Sequence, residues 1–140
     1  GGGYGGGDDW NGPRDWTSRE YGTHGKCIDT SKPFQVAVSF PKDATGAMAA
    51  MEVTLSQHNQ SCPLAVRLGN YEGMDELSAA MQAGMTPVVS YWSDDNMLWM
   101  DGKGADSIGP CAKDNVSSCA DTIKFYDFSV VSMGGPPMAD

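Results

Sequence analysis

Between Pro33 and Pro41 the chain alternates: Phe34, Val36, Val38 and Phe40 are apolar, while Gln35, Ala37 and Ser39 between them are small or polar. A period of two belongs to an extended strand and cannot be laid along one face of a helix, whose repeat is about 3.6 residues. The flanking prolines lack the N–H that a sheet ladder uses, so they mark where the strand stops. Met51-Glu52-Val53-Thr54-Leu55-Ser56 alternates in the same way after a turn through Lys42-Asp43-Ala44-Thr45-Gly46, which makes an antiparallel hairpin the natural pairing. Leu64, Val66 and Leu68, alternating with Ala65 and Arg67, predict a shorter third strand. A last strand is predicted over Ile123 to Val130, with a bulge or corner where the apolar spacing slips between Phe125 and Phe128. Asp75 is positioned to cap a short helix over 76–83 that ends at Gly84, with Leu77, Ala80 and Met81 on one side.

The stretch from Met85 to Gly102 predicts two more strands joined by an acidic loop. Val88, Ser90 and Trp92 alternate with Val89 and Tyr91, so Trp92 and Tyr91 fall on opposite faces and one large ring is free to leave the core. Trp99 lies in the second strand. Between the indoles stand Ser93, Asp94, Asp95 and Asn96, an acceptor-rich cluster suited to hydroxyl groups. Indoles flanked by such groups fit a sugar platform; the competing reading is that each tryptophan is buried core. A second candidate cluster is Trp10-Asn11-Gly12-Pro13-Arg14, where Arg14 serves either to bind a sugar hydroxyl or carboxylate, or to form a surface ion pair stacked on an indole. About six strands and one short helix make an antiparallel all-β architecture of sandwich type. The expected organisation is a glycine-rich loop or tether over 1–20 carrying the Trp-Arg element, a β-sandwich portion over 21–134, and a tail over 135–140.

Charge narrows the partners. With 18 Asp and Glu against 9 Lys and Arg, the formal net charge is −9, which argues against nucleic acid because neutralising phosphates needs clustered cations. No apolar run approaches the roughly 18 residues of a membrane span. The opening Gly-Gly-Gly-Tyr, with no initiator methionine, is expected of a processed product or a fragment. Four cysteines (Cys27, Cys62, Cys111, Cys119) allow three pairings; Cys27 with Cys62, and Cys111 with Cys119, each close a loop. Together with the sequons at Asn59 and Asn115 they fit an oxidising, secretory or extracellular compartment, although sequons also arise by chance in a chain rich in Ser and Asn. His24 and His58 are far apart, without ligand-spaced partners, and no cysteine pair has CxxC spacing, so neither a metal nor a cofactor is expected.

Four blocks, in order along nearly the whole chain, resemble the C-terminal part of glycoside hydrolase family 7, the cellulases built on a concanavalin-like β-jelly-roll sandwich. Tyr4-Gly5-Gly6, Asp9-Trp10-Asn11 and Arg14 resemble the family's segment ending in Asp-Trp-Asn-Pro-Tyr-Arg. Tyr21-Gly22, then Ile28-Asp29-Thr30 and Pro33 to Phe40, are similar to its "YGPG…DT…FTVVTQF" passage. Leu77 to Asp94 and Asn96 to Asp101 resemble "GMVLVMSLWDD…NMLWLDS", and Gly109-Pro110-Cys111 with Ile123 to Val130 resembles the closing "GSC…VTFSNIKFG". The resemblance implies that Trp92 and Trp99 line a β-1,4-glucan cleft, and that Trp10 and Arg14 lie near its product end. Asp94 and Asp95 would then add hydrogen bonds to the polysaccharide. It also implies that Cys111 bonds to a distant upstream position. The loop between the tryptophans is shorter than in the family, Ile108 stands where the family has an arginine, and most loop disulfides are missing.

The family's acidic strand, Glu-x-Asp-x-x-Glu, supplies a nucleophile and an acid/base. Of Glu20, Glu52, Glu72 and Glu76, none begins that pattern, so no catalytic residue is expected in this chain. By the family's order the motif would lie upstream. The expectation is therefore the glucan-binding part of a cellulase-like protein whose carboxylates and opposite sandwich wall come from a protein partner or from the upstream half of the same precursor. The alternative is a non-catalytic sandwich reused as a structural or interaction subunit of a larger assembly.

Overall fold

The computed structural model describes residues 16–69, 71–91, 94, 105–108 and 122–131. Its centre is a three-stranded antiparallel sheet of β3 (Gln35–Ser39), β4 (Met51–Ser56) and β5 (Leu64–Leu68), in that spatial order. All three coincide with alternating runs. The register places Val36 opposite Leu55 and Val38 opposite Val53, then Val53 opposite Val66, Leu55 opposite Leu64, and Met51 opposite Leu68. Directly paired residues share a face, so one side of the sheet is apolar throughout. The other side carries Gln35, Ala37, Ser39, Glu52, Thr54, Ser56, Ala65 and Arg67, with Glu52 ion-paired to Arg67 across the β4–β5 ladder.

The apolar face is covered at one end only. Cys27, Ile28, Leu55 and Leu64 form the buried cluster, with Trp16, Phe34, Val53 and Cys62 packed against it. Ile28 is fully enclosed, whereas Val36 is 59% exposed and Val38 49%. The covering layer is formed by β1 (Tyr21–Gly22) and β2 (Ile28–Asp29), which pair in parallel with Tyr21 opposite Ile28. Two-residue strands are too short to leave a periodic trace. Gly25 makes the crossing between them possible, because a Cβ there would collide with the carbonyl oxygens of Ile28 and Glu20.

A disulfide joins Cys27, next to β2, to Cys62, ahead of β5, and so ties this layer to the sheet. In the β3–β4 connection the Asp43 carboxylate accepts bonds from the Thr45 and Ala47 N–H groups (2.8 and 3.1 Å) and from the Thr45 hydroxyl (2.6 Å). Helix α1 spans Met74–Ala83.

Three expectations need correction. Asp75 does not cap α1; Gly73 occupies that position without a side-chain bond, and Asp75 and Glu76 lie in the first turn, where carboxylates favour the dipole. The side of α1 that meets the body is marked by Ser78, which is buried and accepts the Met48 N–H at 2.9 Å, while Ala80 is exposed. Finally, residues 84–91 and 122–131 form no strand, although both alternate. They flank an open groove of about 700 Å³ lined by Pro87, Val89 and residues 124–129. An alternating pattern gives a segment two faces, but a strand also needs an edge to pair with. Asp127, inside the slipped spacing, has a left-handed backbone (φ 57°). The expected strand around Trp99 lies outside the described residues. The fold is thus strand-dominated with one short helix, around a small antiparallel sheet.

Candidate functional site

The residues expected to touch sugar leave the described body at two points, residue 16 and the region of 91–105. Trp10, Arg14, Trp92, Asp95 and Trp99 lie outside the described residues, as do Cys111, Cys119 and Asn115. Asp94 is described and exposed, as is Tyr91.

What the structure gives clearly is how the two points are held together. The Ala105 N–H donates to the Trp16 carbonyl at 2.8 Å. The Ser18 N–H and hydroxyl both donate to one oxygen of Asp106, at 2.6 and 2.7 Å, while the Ile108 N–H donates to the other at 3.1 Å. The Ser18 hydroxyl, and then its N–H, hold the Asp106 carboxyl below the usual carboxylate range. Trp16 itself packs on Tyr21 (centroids 5.6 Å apart), and Tyr21 meets Phe34 edge-on at 6.3 Å. The clamp is therefore seated on the covered end of the sheet. Ser18 and Asp106 are 88 positions apart, and neither sits in a motif that would have linked them in the sequence. Ile108, standing where the family's arginine is expected, is 61% exposed and engages Asp106 through its backbone.

A second network surrounds Asp29. Its buried carboxylate accepts the Ser31 hydroxyl (2.6 Å), the His24 N–H (2.9 Å) and the Ser31 N–H (3.1 Å), and pairs with Lys32 at 3.0 Å. Gln57 at the end of β4 completes it: its carbonyl oxygen accepts the Asp29 N–H at 2.8 Å, and its amide donates to the Asp29 and Pro33 carbonyls at 3.0 and 3.1 Å. The Ser31 hydroxyl first, then the His24 N–H and Lys32, push the Asp29 carboxyl far below its ordinary value. His24 is exposed and contributes its backbone here.

These acids are structural. Glu20 is held low by the Thr17 N–H and hydroxyl, and Asp43 by Thr45. A general acid at neutral pH needs a raised proton affinity, and Glu20, Asp29, Asp43 and Asp106 are all shifted the other way. Among the described residues no group of three His, Cys, Asp or Glu side chains is disposed to share a metal, and no helix is long and apolar enough to cross a membrane.

Comparison with known proteins adds a direction. The chain is 29% identical over 114 residues to "Probable endo-beta-1,4-glucanase celB" of Neosartorya fischeri, and equally to the protein of that name from Aspergillus fumigatus, covering 71% of this chain in each case. It is 30% identical over 132 residues to "Endoglucanase 1" of Pyricularia oryzae, covering 73% of this chain. The likeness is of cellulase type. The chain spans 28% of the length of the first two relatives and 30% of the third. No family model matches the chain, and no solved structure matches it at a significant level.

Proposed function

We propose that this chain is the β-1,4-glucan-binding portion of a larger secreted cellulase-like protein of the glycoside hydrolase family 7 type, folded as part of a jelly-roll sandwich. In this reading Trp92 and Trp99 stack on the polysaccharide and Trp10, Arg14, Asp94 and Asp95 supply further contacts. The catalytic carboxylates lie outside the chain. The single observation that carries it is the likeness to three proteins named as endoglucanases, and the four motif blocks that resemble family 7 point the same way.

Two structural features support it. The Ser18–Asp106 and Trp16–Ala105 bonds tie together the chain positions next to which the Trp10/Arg14 and Trp99 segments begin. Glu20, Asp29, Asp43 and Asp106 are all held below the ordinary carboxylate range, opposite to what a general acid at neutral pH needs. A second reading, a scaffold subunit in a larger assembly, is favoured by one observation: the apolar sheet face stays open at Val36 and Val38.

Titration with a cello-oligosaccharide, followed by indole fluorescence, separates the two. Binding that saturates, and that Trp99→Ala weakens by about 1–3 kcal/mol, the range for one lost aromatic stacking partner, supports the first. No spectral change at any concentration, in a chain with native circular dichroism, defeats it and leaves the scaffold. Hydrolysis by the isolated chain would contradict both.

A further inference from the structure

We propose that Asn59 is an N-glycosylation acceptor, and that its modification competes with closure of the neighbouring disulfide. The sequon Asn59-Gln60-Ser61 runs directly into Cys62, which is bonded to Cys27. Residues 58–61 are all exposed, and they form the turn after β4, closed by the Gln60 N–H on the Gln57 carbonyl at 3.1 Å. Asn59 holds a left-handed backbone (φ 64°), which asparagine tolerates better than most residues, and so its presence in the turn has a structural cause of its own. Ser61 has no such cause, yet it stands at the position where the reaction requires a hydroxyl residue. Among the described residues nothing bonds to the Asn59 side-chain amide.

The reaction fits a chain that meets an oxidising compartment, which the Cys27–Cys62 bond independently indicates. The Asn59 amide nitrogen forms a bond to the anomeric carbon of an oligosaccharide carried on a polyprenyl pyrophosphate. The bond from that carbon to the phosphate oxygen breaks, the amide gives up one proton, and the lipid pyrophosphate departs. No oxidant or reductant is needed.

Competition follows from how the turn is anchored. On one side Gln57 is bonded to Asp29 and Pro33; on the other Cys62 is fixed to Cys27. Both anchors belong to the folded, oxidised chain. Before they close, the sequon is an adaptable segment that a transferring enzyme can draw into its own site; afterwards it is a held turn.

The test is expression of the full chain through the secretory pathway of a eukaryotic host, with peptide mass spectrometry of residues 58–61 from total cell protein and from medium. Enzymatic deglycosylation should leave Asp in place of Asn59 in a large fraction of molecules. Asn59→Gln and Ser61→Ala should each abolish that mark and remove one glycan's mobility shift. Cys27→Ser, which opens the disulfide without altering the sequon, should raise occupancy in total cell protein, where secretion failure does not matter. An unmodified Asn59 in the wild-type chain overturns the site assignment. Unchanged or lower occupancy in Cys27→Ser overturns the competition.

Discussion

Asp29 is the residue on which the covered end of the sheet turns. It is buried, yet ionised, because hydrogen bonds from Ser31 and His24 and the ion pair to Lys32 replace its hydration. Its folded proton affinity lies far below that of the unfolded chain, where an aspartate titrates near about 3.9. The folded state therefore binds fewer protons, and stability gained from Asp29 is complete above about pH 5. That gain declines as pH falls through the ordinary carboxylate range towards the depressed folded value. Glu20, Asp43 and Asp106 act with the same sign, weakened by solvent screening. Urea midpoints measured from pH 7 down to pH 3 should fall steadily in the wild type, and Asp29→Asn should be less stable at pH 7 while losing less on acidification. An Asp29→Asn chain with the wild-type slope would mean that the network does not govern acid stability. Little of this was readable beforehand. The sequence places Asp29 two residues before Ser31, a local Asx-type pattern, but Gln57 is 28 positions away. Gly25 was equally silent, since only the crossing of Glu20 and Ile28 makes its missing side chain necessary; Gly25→Ala should lower the yield of folded protein sharply, judged by near-ultraviolet circular dichroism.

At the level of elements, what was legible had a partner nearby in the sequence. β3, β4 and β5 follow one another with turn chemistry between them, so alternation alone located them and fixed which face is apolar. The segments at 84–91 and 122–131 have comparable alternation, but among the described residues they pair with no strand. The candidate sugar site was legible only as composition and resemblance, since its tryptophans sit on those same segments or beyond them. The covered and open ends of one face offer a direct energetic contrast. Leu64→Ala, in the buried cluster, should cost about 2–5 kcal/mol in chemical denaturation. Val36→Thr, on the same face but 59% exposed, should stay within about 0.5 kcal/mol when measured dilute enough for the chain to be monomeric. Equal losses at the two positions would mean that the open end is covered in solution. Opening the Cys27–Cys62 bond, which closes a loop between positions 35 apart, should remove about 3–4 kcal/mol by loop entropy, seen as a lower urea midpoint in the reduced protein.

On the scale of the whole molecule, several large apolar side chains among the described residues are exposed. Val36 and Val38 lie on one face of the sheet, and they, like Phe125, Phe128, Val130 and Val131, are each between 49% and 80% exposed. Isolated apolar residues at a surface mean little, but contiguous patches mark contact surfaces. An exposed apolar face can meet another surface or pair with a second copy of itself. Burying Val36 and Val38 would contribute on the order of 1.5–3 kcal/mol each at full burial, less for side chains already half covered. Sedimentation velocity of the isolated chain should therefore show association that grows with concentration. Val36→Lys with Val38→Glu should return it to a monomer without lowering the unfolding free energy by more than about 1 kcal/mol, because neither side chain belongs to the buried cluster. The net charge of −9 opposes association through long-range repulsion, so added salt should strengthen it. A monodisperse monomer at every concentration and salt level, with the wild-type fold intact, would show that the sheet face is tolerated bare.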